Sequence, residues 1–192
     1  MKRFPGRKDN IILAAIEIIS EDGIHGLSTK KIAARQGISE SLLYKHFNSI
    51  NDVLVAVVKS FSRYDMMIIN TVRKRDITYK EKIIAYIGPI VELYQNYPPL
   101  ASIMLNYETL LNYRHTRQLI KGIINTRKGF VKSVIEKAQA EGEMNNNLTS
   151  QELADIINGV ISDMVLRWKI SGYVFNLKED VLATIGKVLD LV

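Results

Sequence analysis

The chain has no cysteine, which removes disulfides, thiol nucleophiles and cysteine-ligated zinc from consideration. Histidine is scarce: His25, His46 and His115 are scattered, and none stands at ligand spacing to another histidine or to an acid pair. No metal site and no cofactor are therefore expected. Glycine-rich phosphate loops are missing, as are paired carboxylates and any nucleophile–base set, so no catalytic residue is assigned and an enzyme is not expected. Long apolar runs are missing too. A membrane helix needs ~18–20 such residues, whereas the stretch 11–19 is interrupted by Glu17 and the stretch 52–58 begins at an acid. Lys2 and Arg3 are followed by Pro5, Gly6, Arg7, Lys8 and Asp9 rather than by the apolar core of a signal peptide. The expectation is a cytoplasmic chain with no membrane partner.

What the chain does have is helical period. Hydrophobic residues make up 47% of its 192 residues, enough for a proper core in one domain or two small ones. Apolar positions recur at helix spacing almost throughout, and no stretch alternates as a strand would. The pattern predicts an all-α fold of about nine helices, at about 8–21, 29–35, 39–47, 51–73, 78–96, 100–111, 114–141, 149–171 and 177–191. Their ends carry recognisable signals. Gly23, Gly37, Gly142 and Gly172 follow helices as left-handed caps do. Thr78 with Glu81, and Thr149 with Glu152, are capping boxes. Gly88-Pro89 predicts a kink or break within the fifth helix.

Residues 28–54 are the most informative stretch. One helix buries Ile32 and Ala33, a tight turn falls at Gly37, and Ser39 caps a second helix too short to stand alone. Ile38, Leu42, Leu43 and Phe47 complete a small core that fixes the pair. The short helix exposes Ser39, Glu40, Ser41 and Lys45, and small polar residues at its front allow close approach to base edges in a major groove. Thr29 and Lys30 open the preceding helix, where amide groups and the helix dipole favour a phosphate. Lys45 adds a counterion-releasing contact. Glu40 either accepts from a cytosine amino group or is simply solvated. The charge balance agrees with a polyanionic partner: the net charge is +6, and residues 1–64 hold 10 Lys/Arg against 6 Asp/Glu while residues 65–192 hold 16 against 14. Lys2, Arg3, Arg7 and Lys8 are placed to form an arm toward the backbone or the minor groove.

Ile12-Leu13-Ala14-Ala15, Gly23, the Ser-Thr-x-x-Ile-Ala run at 28–33, Gly37-Ile38-Ser39 and Leu43-Tyr44-x-His46-Phe47 resemble the tetracycline-repressor (TetR) family of transcriptional regulators. The resemblance is close over residues 8–54, and nine helices in a chain of this length fit it. It implies an N-terminal three-helix helix-turn-helix DNA-binding domain, in which Tyr44 and His46 bond phosphates. It also implies a C-terminal helical ligand-binding and dimerisation domain, a homodimer on a palindromic double-stranded DNA operator, and a small-molecule effector that releases the DNA. One departure stands out: Ile50 occupies the place of a phosphate-binding lysine just before the fourth helix, and one contact is lost with it.

On this basis residues 1–50 form the DNA-binding domain, 51–74 a connecting helix, and 75–192 the ligand and dimer domain. The last part is rich in large, soft side chains with polar tips. Tyr86, Tyr94, Met104, Tyr107, Phe130 and Trp168 suit a pocket for an apolar or amphipathic ligand, and equally suit an ordinary helical core. Tyr97 and Tyr113 belong to the same group. Arg117, Asn106, Arg127 and Asn158 are candidates to orient a ligand's polar end. The last two helices carry apolar residues on more than one face, which predicts a partner surface including Ile157, Val160, Ile161, Met164, Ile185 and Leu189, with Gly159 permitting close approach. The reading is a DNA-binding regulator, most simply a repressor controlled by an apolar effector. The alternative is an architectural DNA-binding protein without effector control; such a protein would be more basic throughout and would lack a large, nearly charge-balanced second domain.

Overall fold

The computed structural model describes residues 6–192, so Lys2 and Arg3 of the expected basic arm lie outside the described residues. Among the described residues there are ten α-helices and no strand. They are α1 (Arg7–Asp22), α2 (Thr29–Gln36), α3 (Glu40–Tyr44), α4 (Ile50–Arg73), α5 (Tyr79–Asn96), α6 (Pro99–Leu105), α7 (Tyr107–Asn112), α8 (Arg117–Ala140), α9 (Ser150–Ile170) and α10 (Leu177–Asp190), with one 3-10 turn at Ile24–Gly26. No helix among them is long and apolar enough to cross a membrane.

Two expectations need correction. The helix expected over 100–111 is two helices, because Asn106 sits between them at φ −100° and ψ 14° and turns its side-chain amide back onto the Ser102 carbonyl at 2.7 Å. An asparagine amide that bonds locally competes with the helical ladder, and the count rises from nine to ten. Of the kink or break expected at Gly88-Pro89, the break does not occur: α5 continues from Tyr79 to Asn96 with Pro89 inside it. Tertiary packing holds the turn, since Ile83, Tyr86, Ile87, Gly88, Ile90, Val91 and Tyr94 are all buried. The Tyr64 hydroxyl donates to the Pro89 carbonyl at 3.2 Å.

The chain forms two compact units. The first comprises the described residues up to Arg63 together with Ser102–Lys121; the second comprises Tyr64–Ala101 and Gly122–Val192. In the first, α1 buries Ile11, Ile12, Ala14, Ala15, Ile16, Ile18 and Ile19. Gly23 closes α1 at φ 72°, a conformation that L side chains rarely adopt. Within this unit Ser20 and Ser102 share a hydrogen bond, 2.9 Å between hydroxyls. In the second unit α10 packs on α5 and α9. Capping boxes at Thr78–Glu81 and Thr149–Glu152 start α5 and α9, each threonine accepting from the glutamate's backbone amide while the carboxylate accepts from the threonine N–H.

Candidate functional site

The helix-turn-helix of the first unit is assembled by local chemistry. Ser28 accepts from the Lys31 amide at 3.2 Å and starts α2. Gly37, at φ 60° and ψ 35°, ends it in the left-handed conformation, its N–H bonding back to Ala34. Ser39 then caps α3 through the Leu42 amide, also at 3.2 Å. Ile32, Ala33, Leu43 and Phe47 are buried, and Ile38 and Leu42 are half-buried, so the short α3 is held by packing rather than by its own length. Arg35 on α2 pairs with Glu21 and, at 3.6 Å, with Glu17 on α1; Lys31 pairs with Asp22 at 2.7 Å. These exposed pairs hold the carboxyls of Glu21 and Asp22 below the ordinary range, chiefly through the hydrogen bonds from Arg35 and Lys31.

The polar residues expected at DNA come from the start of α2 and from α3 with the turn that follows it. Lys30, Ser39, Glu40, Ser41, Tyr44 and Lys45 are exposed, while Thr29 and His46 are half-buried. α3 ends at Tyr44, shorter than expected, so Lys45 caps it and His46 lies in the closing turn, its N–H on the Leu43 carbonyl at 2.9 Å. Ser39 and Ser41 share a hydrogen bond of 2.9 Å between their hydroxyls. Glu40 is not merely solvated: the Thr29 hydroxyl donates to its Oε2 at 2.6 Å and ties the front of α3 to the start of α2. Ile50 opens α4 half-buried. Lys8 rests its ammonium 5.1 Å from the Phe47 ring centre, so one of the cations expected in the arm instead covers the motif's core.

In the second unit an ion pair lies inside the helices. Asp65 of α4 is 1% exposed and receives Nε and Nη2 of Arg127, on α8, at 2.8 and 2.9 Å. The remaining terminal nitrogen of the guanidinium, Nη1, donates to the Tyr94 hydroxyl on α5 at 3.1 Å. Tyr86, two turns before Tyr94, stacks obliquely on Phe130 with ring centres 4.7 Å apart. Its hydroxyl is buried with no hydrogen-bond partner, and burial pushes its pKa well up. Of the residues expected to line a pocket, Tyr86, Tyr94 and Phe130 thus come together around Arg127. Trp168 lies at the end of α9, donating to the Phe175 carbonyl at 3.0 Å and stacked edge-on with Tyr173 at 4.6 Å. Met104, Tyr107 and Arg117 belong to the first unit; Arg117 is exposed, and its Nε bonds the Leu111 carbonyl at 2.8 Å. Asn106 and Asn158 direct their amides to the backbone one turn earlier, at 2.7 and 2.6 Å, so neither amide is turned to a ligand here. Sequence reasoning missed Asp65. Its signal was an acid among Met66, Met67, Ile68 and Ile69, on the face that α4 buries.

Of the residues expected at a partner surface, Ile157, Met164, Ile185 and Leu189 are buried within the protomer, filling its own core between α9 and its neighbours. Val160 and Ile161 are half-buried. The apolar side chains that α9 does expose are Ile156, Leu166 and Ile170, the last 76% accessible. No group of three or more metal-ligating side chains occurs among the described residues.

Residues 11–57 match the family described as bacterial regulatory proteins, tetR family, and residues 66–190 match the YsiA-like protein, C-terminal region. The chain belongs to the TetR family of transcriptional regulators, and its N-terminal helix-turn-helix is the family's DNA-binding domain. Within that family it is similar to the fatty acid metabolism regulator protein of Bacillus subtilis, at 25% identity over 194 residues, covering 100% of this chain and 96% of the relative. The fold is that of the transcriptional regulator FadR from Bacillus subtilis, solved in complex with stearoyl-CoA: TM-score 0.75 at 23% identity, covering 95% of each chain. A ketosteroid transcriptional regulator of Mycobacterium tuberculosis superposes with TM-score 0.84 at 16% identity, covering 98% of this chain and 95% of the other.

Proposed function

We propose that this protein is a repressor that binds a palindromic operator as a homodimer and is released by an acyl thioester. The observation that supports the operator half is the α2–turn–α3 unit, in which exposed Ser39, Glu40, Ser41, Tyr44 and Lys45 are presented on a short helix braced by Ile32, Leu43 and Phe47. Two such helices about one DNA turn apart, ~34–36 Å, enter successive major grooves. Thr29, Lys30 and His46 complete the backbone contacts, and the loss of a cation at Ile50 lowers the salt dependence by about one counterion.

The effector half rests on end-to-end similarity to a fatty acid metabolism regulator and on the fold shared with a stearoyl-CoA complex. The apolar, tyrosine-bearing interior of the second unit suits a chain with one polar end. The dimer is assigned to the outer face of α9, where Ile156, Leu166 and Ile170 remain uncovered by the protomer. Ligand binding shifts the population toward a recognition-helix spacing that no longer fits DNA, acting through α4, which belongs to both units. Linkage then requires that effector and operator weaken each other's binding by the same factor.

The test is selection of a random duplex library by the purified protein at near-physiological salt, followed by titration of the selected duplex with palmitoyl-CoA. A two-fold symmetric site released by palmitoyl-CoA is the expected result. Binding that enriches no sequence would favour the architectural reading, and a symmetric site indifferent to palmitoyl-CoA would remove the effector assignment alone.

A further inference from the structure

Inside the second unit a single polar group is left without a partner. The Tyr86 hydroxyl is buried, and the residue as a whole is 3% exposed. A phenol placed there loses its bonds to water and gains none, which native interiors seldom tolerate without a use for the group. Phenylalanine would pack against Phe130 equally well, so packing alone does not account for the hydroxyl. Its surroundings restrict what could bond it. The nearby charge is already balanced: Asp65 takes two donors of Arg127, and another goes to Tyr94. A free carboxylate entering this interior would add a negative charge next to Asp65 with the guanidinium already engaged. A neutral carbonyl oxygen would meet the phenolic O–H at no such cost.

We infer that Tyr86 is the specificity residue for the polar end of the effector, its hydroxyl donating to the carbonyl oxygen of an acyl thioester or ester while the chain lies among the apolar side chains of the unit. This deepens the acyl-effector reading above and rests on it. The hydroxyl is enclosed, so a ligand reaches it only as the packing around it opens, and the Tyr86–Phe130 contact joins α5 to α8 where that opening would be felt. Arg127 and Asp65 act here as positioning residues: they bond each other, and Arg127 also bonds Tyr94, while the buried Tyr86 hydroxyl has no partner.

The experiment compares the full-length protein and Tyr86→Phe with three probes: palmitoyl-CoA, palmitate, and S-hexadecyl-CoA, whose thioether has no carbonyl oxygen. Calorimetry or fluorescence gives each affinity, and thermal melting gives the stability of the unliganded protein. The wild type should prefer palmitoyl-CoA to the thioether by roughly five- to tenfold, the worth of one hydrogen bond, and should bind palmitate least. Tyr86→Phe should erase the preference between thioester and thioether and leave the unliganded melting temperature unchanged or higher. An unchanged preference in Tyr86→Phe would overturn the inference while leaving the effector reading intact. So would a fall in the melting temperature, because the hydroxyl would then have a structural partner. Failure of all three probes to bind the wild type would overturn the effector reading, and the inference with it.

Discussion

In the first unit the polar side chains that shape the motif bond close by along the chain, at most fourteen positions away. Ser28 reaches Lys31 and Ser39 reaches Leu42, each three positions on, and Thr29 reaches Glu40 across one turn. In the second unit the corresponding work is done at a distance: Asp65 meets Arg127 sixty-two positions away, and Arg127 meets Tyr94 across thirty-three. The first set lies at the surface, where water is the alternative partner and each bond is worth little more than a cap. The second is built around the buried Asp65 and Tyr94, so its members matter through what happens when one is removed. The difference teaches that a DNA-reading surface can be built from local rules, whereas an interior able to recognise a ligand's polar end depends on side chains that only the fold brings together.

The sharpest way to break this comparison is Arg127→Met. It strands a carboxylate that is 1% exposed, and loss of one partner of a buried pair costs ~3–5 kcal/mol. Urea denaturation should show that loss, and Asp65→Leu added to Arg127→Met should restore most of it. A loss below about 1 kcal/mol for Arg127→Met would show the pair to be no more demanding than the surface bonds of the first unit. Next in size is Gly37→Val. No neighbouring atom lies within 4 Å of the Cβ position, so the expected cost of ~1–2 kcal/mol comes from the positive φ alone, and weaker operator binding should accompany it. Ser39→Ala should cost ~1 kcal/mol and Ser39→Gly only a few tenths, which calorimetric melting of the two variants can separate.

The smallest effect concerns pH. The Glu152 carboxyl, bonded first by the Thr149 backbone and then by its hydroxyl, is held below its ordinary value of 4.5. A lowered folded-state pKa means that its stabilisation is present above pH 4.5 and is lost as pH falls through the lower, folded value. Melting temperatures taken down through that window should fall less steeply for Glu152→Gln than for the wild type.

The helices, their caps, the turn at Gly37 and the family itself were legible in the chain, because each is set by neighbours three or four residues apart: apolar spacing, a Ser or Thr before an amide, a glycine where φ is positive. Even there two local signals misled, one through another local bond and one through tertiary packing. Asn106 divided an expected helix by bonding Ser102, and α5 ran through Pro89 because the side chains around it are buried on a packed face. Which apolar residues face a neighbour inside the protomer was beyond the pattern. Ile157, Met164, Ile185 and Leu189 share their helices with exposed positions of the same character, and period alone does not say which stripe is covered first. The pairing of Asp65 with Arg127 and the isolation of the Tyr86 hydroxyl were decided by tertiary structure alone. Both depend on helices far apart in sequence converging in a largely buried interior, and the strength of a polar group there is set by its surroundings rather than by its neighbours in the chain.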